Sequence, residues 1–437
     1  MKKIDIGLIG FGTIGTGVVR LLKENAGLIS ERIGAEIRLK SIADIDIRKD
    51  RGIDIGRAVL TTDVGDILND PEIGIVIELM GGYEPARTFI LDAMGRNKHV
   101  VTANKALLAI HGDEIFQQAM RQGVNIGFEA SVGGTIPIIK TVKESLVANR
   151  IRSIYAIMNG TSNFILSKMT DEGKPFADVL REAQRLGFAE ADPTYDVEGI
   201  DAAHKLAILL SLSYGKKVRL DEFYREGISA ISEQDIEFAR ELGYRIKLLA
   251  IAISRGGAIE ARLHPTMIPF DHLLANVNSN FNAFHIIGDA ADSVFLYGQG
   301  SGMMTTASAV LSDIVDISRD ILKGIAGRIA PRVRDEESLE AICLLPFDQI
   351  KTNYYFRFSA VDRPGVLSRI SGILGANDIS IATVIQKGRK QEGPVPVVMT
   401  TYKARELDVR RAIEEIDRLD MVMDKTMLIR IEDGNLT

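Results

Sequence analysis

Glu190, Asp192, Asp196 and Glu198 crowd one loop within GFAEADPTYDVEGIDAAHKLAILLS (187–211), and Asp201 and Lys205 follow four residues apart. On a helix beginning near Ile200, residues four apart project from one face, so this aspartate and lysine meet. Carboxylates hold a substrate ammonium group, and a lysine beside them hands a proton to an oxygen. The same spacing also describes a solvated ion pair, and an acidic loop also suits a hard cation. What favours chemistry is the company this stretch keeps, because the chain opens with a dinucleotide-binding signature. The stretch reads as a site for a small amino acid.

Helices must hold these groups in place. Gly187 ends a helix over 178–186, as glycine does in the left-handed position past a helix end. Asp196 or Glu198 is placed to serve the N-terminus of the next helix, where an anion is favoured. Behind Asp201 and Lys205, Leu206, Ile208, Leu209 and Leu210 supply the apolar contacts.

The signature lies at the start. Ile4, Ile6, Leu8 and Ile9 form a short apolar strand that runs into Gly10-Phe11-Gly12-Thr13-Ile14-Gly15 and a helix over 14–22. Gly10 permits the turn, Gly12 lets backbone approach a pyrophosphate, and Gly15 lets helix pack on strand. The second strand (36–43) ends at Asp44, where a carboxylate binds the adenosine ribose hydroxyls; the longer interval before it is assigned to the segment after Asn25-Ala26-Gly27. Arg48, Lys49 and Arg51 follow and suit a 2′-phosphate instead, so NAD and NADP both stay open. The run 73–80 reads as a strand buried on both faces. Strand 99–102 leads to Ala103-Asn104-Lys105, and ligands of open α/β sheets bind at strand carboxyl ends, which places Lys105 near the nicotinamide. A helix over 110–122 and a strand over 124–128 complete a doubly wound domain.

From Glu129 the pattern changes. The turn 129–137 enters a helix over 138–147. Strands are expected at 151–158, 245–254, 258–267, 274–282 and 294–297, which suggests a largely antiparallel or mixed sheet with helices on one face. Gly300–Gly302 is either a loop over the cofactor or a plain turn, and a helix over 306–322 packs back on the first domain. Prolines and a charge run place a linker within 324–350. Beyond it, β-α-β-β-α-β order predicts a ferredoxin-like sandwich.

The totals exclude several classes. A length of 437 residues suits about three domains. A net charge of −6 offers no case for nucleic acid or a membrane surface. The single cysteine, Cys343, excludes an intrachain disulfide, and the six histidines lack metal-ligand spacing. No signal peptide or membrane-spanning run is present, so a cytoplasmic location is expected.

Six segments in order, GLIGFGTIGTGVV, ELMGGYEPAR, VTANKALLA, FEASVGGTIPII, NGTSNFIL and GFAEADPTYDVEGIDAAHKLAIL, resemble the homoserine dehydrogenase family. The tail segment DRPGVLSRISGILGANDISI resembles an ACT domain, and the monofunctional form, with no kinase-like segment before position 1, is expected. The resemblance implies an α/β chain with a Rossmann-type domain over 1–130 (305–330 packing back on it), an α+β substrate and oligomerisation domain over 131–304, and an ACT domain over 350–432. It implies interconversion of L-aspartate 4-semialdehyde and L-homoserine with NAD(P), in a homodimer or homotetramer, with L-threonine as an effector at the tail. Carried over, Lys205 is the proton donor and Asp201 its essential neighbour, Glu190 binds substrate with Asp196 nearby, and Lys105 lies between cofactor and substrate. Phe11, Thr13 and Ile14 join the glycines at the pyrophosphate. Glu129, Val132, Gly134 and Ile136 match a sodium or potassium site. Ala43-Asp44 stands where many members have an arginine. Two rivals are a 2-hydroxy-acid dehydrogenase with an ACT tail, which calls for a histidine base, and a non-catalytic dinucleotide and amino-acid sensor, which needs no Lys105 and Lys205 together.

Overall fold

The computed structural model describes residues 2–215, 218–331, 343–387 and 394–432. The expected linker at 324–350 falls partly outside them, at 332–342.

The N-terminal elements are β1 (Lys2–Ile9), α1 (Thr13–Glu24), α2 (Ala26–Ile33), β2 (Ala35–Ala43), β3 (Val59–Thr61), α3 (Gly65–Leu68), β4 (Ile73–Glu78), α4 (Ala86–Gly95), β5 (His99–Thr102), α5 (Lys105–Gln122) and β6 (Ile126–Gly127). Their strands form one parallel sheet in the order β3-β2-β1-β4-β5-β6, the doubly wound arrangement of dinucleotide-binding domains. Residues after Asn25 are helical, because Ile29 and Ile33 recur at helical spacing and pack on the core before Gly34 turns left-handed. α5 begins at Lys105, earlier than expected, since the Asn104 side chain accepts a hydrogen bond from the Leu107 amide and caps it. The last strand is shorter than expected, only two residues at the sheet edge.

After a 3₁₀ turn (Glu129–Ser131) come α6 (Ile138–Lys140), continued by a π turn (Thr141–Ser145), then β7 (Ile151–Ile157), α7 (Gly160–Glu172), α8 (Phe176–Arg185), α9 (Thr194–Val197), α10 (Ile200–Tyr214), β8 (Tyr224–Arg225), α11 (Glu233–Glu241), β9 (Tyr244–Arg255), β10 (Ala258–Pro269), β11 (Phe281–Gly288), β12 (Ser293–Gln299) and α12 (Met303–Lys323). The strands β12-β11-β7-β9-β10 are antiparallel neighbours. The strand expected at 274–282 is instead a 3₁₀ turn (Leu273–Asn276) followed by Ser279 at φ +59, and β11 begins only at Phe281. The asparagines at 276, 278 and 280 favour turn over ladder. α12 returns to the first sheet: Ala307, Val310 and Ile314 share a core with Ile6, Leu8 and Val18. A Cβ on Gly17 would stand 2.8 Å from Met303, so glycine is what lets α1 and α12 approach.

The tail contains β13 (Cys343–Leu344), β14 (Lys351–Val361), α13 (Val366–Ala376), β15 (Ile381–Gln386), β16 (Pro394–Thr401), β17 (Ala404–Arg405), α14 (Glu406–Ile416) and β18 (Val422–Ile431). Its four main strands run β18-β14-β16-β15 and are covered by α13 and α14, which is a ferredoxin-like sandwich. This sheet continues the middle one, because β18 pairs in parallel with β10 at Thr266–Arg430 and Met267–Ile431. Buried charge crosses the joint: Arg262 donates to Glu260 (2.8 Å) and to Glu432 (2.6 Å).

Candidate active site

Gly10 has φ +97, and a Cβ there would stand 2.7 Å from the Leu79 carbonyl carbon. A Cβ on Gly15 would lie 2.3 Å from the Gly10 carbonyl oxygen. Gly12 has nothing within 4 Å and opens onto a cleft of about 730 Å³ lined by Gly10, Phe11, Gly12, Thr13, Asp44 and Met303. The cradle therefore fits a dinucleotide: two glycines allow the close approach and the third leaves room for pyrophosphate at the N-terminus of α1. Ile14 and Gly15 do not line the cleft. Gly302 (φ +132) precedes α12, and its neighbour Met303 lines the cleft.

Asp44 is not an open carboxylate. Its Oδ2 accepts from the Phe11 amide (2.6 Å), and its Oδ1 accepts from Arg51 (2.9 Å) and the Asp46 amide (2.8 Å). Arg51 also donates to the Phe11 carbonyl (2.7 Å), with its guanidinium 4.9 Å from the Phe11 ring. Of the basic trio, Lys49 and Arg51 line the cleft, whereas Arg48 does not.

At the carboxyl end of the same sheet, Glu78 is buried and accepts from Thr102 (2.7 Å) and the Met80 amide (2.9 Å). Asn104, beside it, donates to the Gly82 carbonyl (2.7 Å) while capping α5. This fixes Lys105, whose Nζ stands 3.3 Å from Asp201 Oδ1. The other oxygen, Oδ2, accepts from Lys205 Nζ (2.6 Å) and Asn159 (2.9 Å). Lys205 also donates to the Met158 carbonyl (2.7 Å), at the end of β7. Asn159 caps α7 through the Ser162 amide (2.8 Å) and donates to Asp196 (2.7 Å). Two helices and a strand end thus converge on one buried carboxylate.

Burial opposes ionisation of Asp201, but Lys205 and Lys105 outweigh it and hold the carboxyl below the usual aspartate range. Burial pushes Asp196 upward against its hydrogen bond from Asn159. Burial also lowers His204, whose Nδ1 is 2.7 Å from the Tyr195 hydroxyl.

Several expectations change here. Neither Asp196 nor Glu198 caps α10; Gly199, at φ +72, takes that place without a side-chain bond. Asp196 turns to Asn159, and Glu198 bonds the Ser229 hydroxyl. Glu190 is exposed and its side chain stands outside the hydrogen-bonded cluster; its carbonyl accepts from Gln184 (3.1 Å). Asn159 and the Met158 carbonyl had gone unassigned. The signal was an Asn at a strand end with Ser three residues on, a capping pattern.

In the 129–136 turn, the Glu129 carboxylate accepts from the Ile139 and Lys140 amides (2.8 and 2.9 Å), so both its oxygens meet the start of α6. Burial, followed by nearby Asp313, pushes this carboxyl up to about 7. The Ile136 carbonyl accepts from Ile138 (2.7 Å). Val132 and Gly134 are buried, and their carbonyls accept no hydrogen bond among the described residues. Carbonyls left without a donor suit an alkali cation.

A glycine cradle at a helix start suits a dinucleotide, and a lysine beside the sheet's carboxyl end is able to serve an oxygen that gains or loses a proton, which is the arrangement expected of nicotinamide-dependent oxidoreductases. Residues 137–315 match the family model for homoserine dehydrogenase, residues 10–129 that for the homoserine dehydrogenase NAD binding domain, and residues 354–420 that for the ACT domain. The homoserine dehydrogenases of Pseudomonas aeruginosa and Neisseria gonorrhoeae are each 44% identical, covering 100% and 99% respectively of both chains. The crystal structure of a homoserine dehydrogenase from Thiobacillus denitrificans is 47% identical with a TM-score of 0.93, covering 99% of each chain. The chain belongs to the homoserine dehydrogenase family. It is an NAD(P)-dependent oxidoreductase with an ACT domain, which removes the sensor and the 2-hydroxy-acid dehydrogenase from consideration.

Proposed function

We propose that the chain interconverts L-aspartate 4-semialdehyde and L-homoserine with NAD(P)(H), in the route to threonine, methionine and isoleucine. The observation that carries this is Lys205, held between the Met158 carbonyl and Asp201 beside Lys105. When bound, the reduced nicotinamide supplies the hydride to the aldehyde carbon. Lys205 holds a proton at Nζ for the aldehyde oxygen, and in the reverse direction it receives the hydroxyl proton. Lys105 adds positive charge on the cofactor side. Glu190 and Asp196 are assigned to the substrate ammonium, Asp196 from within the cluster and Glu190 from the exposed loop before it. The test is loss of reduced-nicotinamide absorbance on adding L-aspartate 4-semialdehyde; no turnover with either cofactor overturns the reading.

Both cofactors are expected to work, with a tilt toward NADH, because Asp44 lines the cleft at the end of β2 and its Oδ2 keeps room for a further hydrogen bond from a ribose hydroxyl beside the Phe11 amide. Arg51 offsets that charge, so Arg51→Ala is expected to lower kcat/KM for NADPH roughly tenfold more than for NADH, the scale of one charge-assisted hydrogen bond. Equal losses with the two cofactors would refute this role.

A sodium or potassium ion held by the Val132 and Gly134 carbonyls, with Glu129 and Ile136 main chain beside them, accords with the absence of a donor to those two oxygens among the described residues. Replacing alkali cations by tetramethylammonium at constant ionic strength is expected to lower turnover severalfold, and unchanged activity would count against it.

The ACT domain is assigned to feedback by L-threonine, with the exposed Asp362–Gly365 turn and the start of α13 offering amides to a carboxylate. Threonine is expected to inhibit the full-length chain, and Asp362→Ala to blunt the inhibition; no inhibition, or no change in the variant, leaves the tail as an assembly element. Truncation is the poorer test, since removing β18 strips Arg262 of Glu432. A cytoplasmic homodimer or homotetramer completes the reading. No helix among the described residues is long and apolar enough to cross a membrane.

A further inference from the structure

Where α14 and β18 face β8, a cavity of about 420 Å³ opens between the tail and the middle sheet. No member of the Lys205 cluster lines it. Its floor is a closed ionic network. Arg430, 2% exposed, donates Nε and Nη2 to Glu406 (2.9 and 2.6 Å) and Nη1 to Glu226 (2.8 Å). Glu406 also accepts from Arg410 Nε (2.9 Å) and the Tyr354 hydroxyl (3.0 Å), so its oxygens are filled. Arg357, at the rim, is committed to Asp235.

Three polar groups remain over. Both Nη groups of Arg410 lack an acceptor among the described residues, although its guanidinium is held 5.1 and 5.3 Å from the Tyr224 and Phe347 rings. Lys425 Nζ has no acidic partner among them. Glu226 uses only Oε2, for Arg430 and the Tyr224 hydroxyl, which leaves Oε1 open. Ala230, Ile413, Met427 and Leu428 supply an apolar wall between these charges. A guanidinium already fixed by stacking and one hydrogen bond presents its remaining fork to a carboxylate at little further entropic cost.

We propose that this junction cavity binds a small aliphatic α-amino acid, with its carboxylate on Arg410 and Lys425, its ammonium on Glu226 Oε1 and its side chain on Ile413, Met427 and Leu428. The site has a direct connection to the catalytic helix. The chain runs from Glu226 to Ile228, whose amide donates to the Val197 carbonyl (2.8 Å), and to Ser229, whose hydroxyl bonds Glu198. Val197 and Glu198 lead straight into α10 and Asp201. This site is separate from the one assigned at Asp362–Gly365 and rests on the regulatory reading above only for the ligand's role as an effector, because binding is measured without turnover; its failure leaves the dehydrogenase assignment standing.

The experiment is calorimetric titration of the full-length chain with L-valine, with isovalerate (no ammonium) and with isobutylamine (no carboxylate), alongside backbone hydrogen exchange. Valine is expected to bind one per chain and to protect 224–229 and 425–430, with both truncated analogues at least about tenfold weaker. Arg410→Gln and Lys425→Ala are each expected to weaken valine binding roughly tenfold. If Arg410→Gln fails to fold, Lys425→Ala carries the test, since Lys425 is exposed and outside the network. No binding of valine at millimolar concentration overturns the proposal. So does protection centred on 362–368 instead, binding indifferent to Lys425→Ala, or isovalerate binding as tightly as valine.

Discussion

Lys205→Ala is expected to lower kcat by about 10²–10⁴-fold while NAD(P)H still binds, because the substitution removes one proton-transfer group and leaves the cradle untouched. An ammonium group has three protons to donate. At Lys205 one goes to the Met158 carbonyl and one to Asp201, and the third remains for a substrate oxygen. Those two bonds fix the direction of the third, which is what positioned acid catalysis requires. Lys105 differs: its contact with Asp201 is longer, 3.3 Å, and its side chain is 34% exposed. Lys105→Ala is therefore the milder change and serves as the comparison. Steady-state kinetics with fluorescence titration of NADPH separate the two effects. Near-normal turnover in Lys205→Ala would transfer the proton step to Lys105.

This pair was legible in the sequence because helical geometry alone brings residues four apart together, and the cradle because its glycines follow a strand directly. What could not be read was held by distant partners. Asn159 joins Asp196 and Asp201 across 37 and 42 positions, and no local pattern reports such a contact. Asp44 was read from its place at a strand end, whereas its chemistry depends on Arg51 folding back over Phe11. The same holds for the joint between β10 and β18. Arg262 and Arg430 resemble surface arginines in sequence, yet both are nearly wholly buried by carboxylates brought from far along the chain. Not every miss was long-range. Ser232 and Asp235 form a capping box at the start of α11, a local signal that went unused. The misplaced strand at 274–282 came from apolar residues at 274, 275 and 277 that pack from a 3₁₀ turn and the residue after it.

Asp201→Asn is expected to cost both activity and stability, with an acid-side signature that separates it from a general loss of structure. The carboxylate receives Lys205, Lys105 and Asn159 at once, whereas an amide in its place keeps one acceptor oxygen, loses the negative charge and turns its NH2 donor toward groups that are themselves donors. Lys205 then loses the negative charge that holds and aims it, so kcat is expected to fall by about 10²–10⁴-fold, comparable to removing the lysine. Breaking a buried pair on one side costs about 3–5 kcal/mol, because the remaining charge is left uncompensated. The pH dependence follows from direction alone. Asp201 is held below the usual range in the folded chain, so the unfolded chain takes up its proton first as pH falls. Its contribution to stability is complete above the unfolded value of about 3.9 and is lost progressively below it, toward the lower folded value. The stability gap between the parent and Asp201→Asn, read by urea unfolding, should therefore stay constant from neutral pH down to about 5 and narrow only below about 4. A gap already closing near neutral pH would mean that the carboxylate is not held ionised by its lysines, and parental kcat in the variant would remove Asp201 from the proton step.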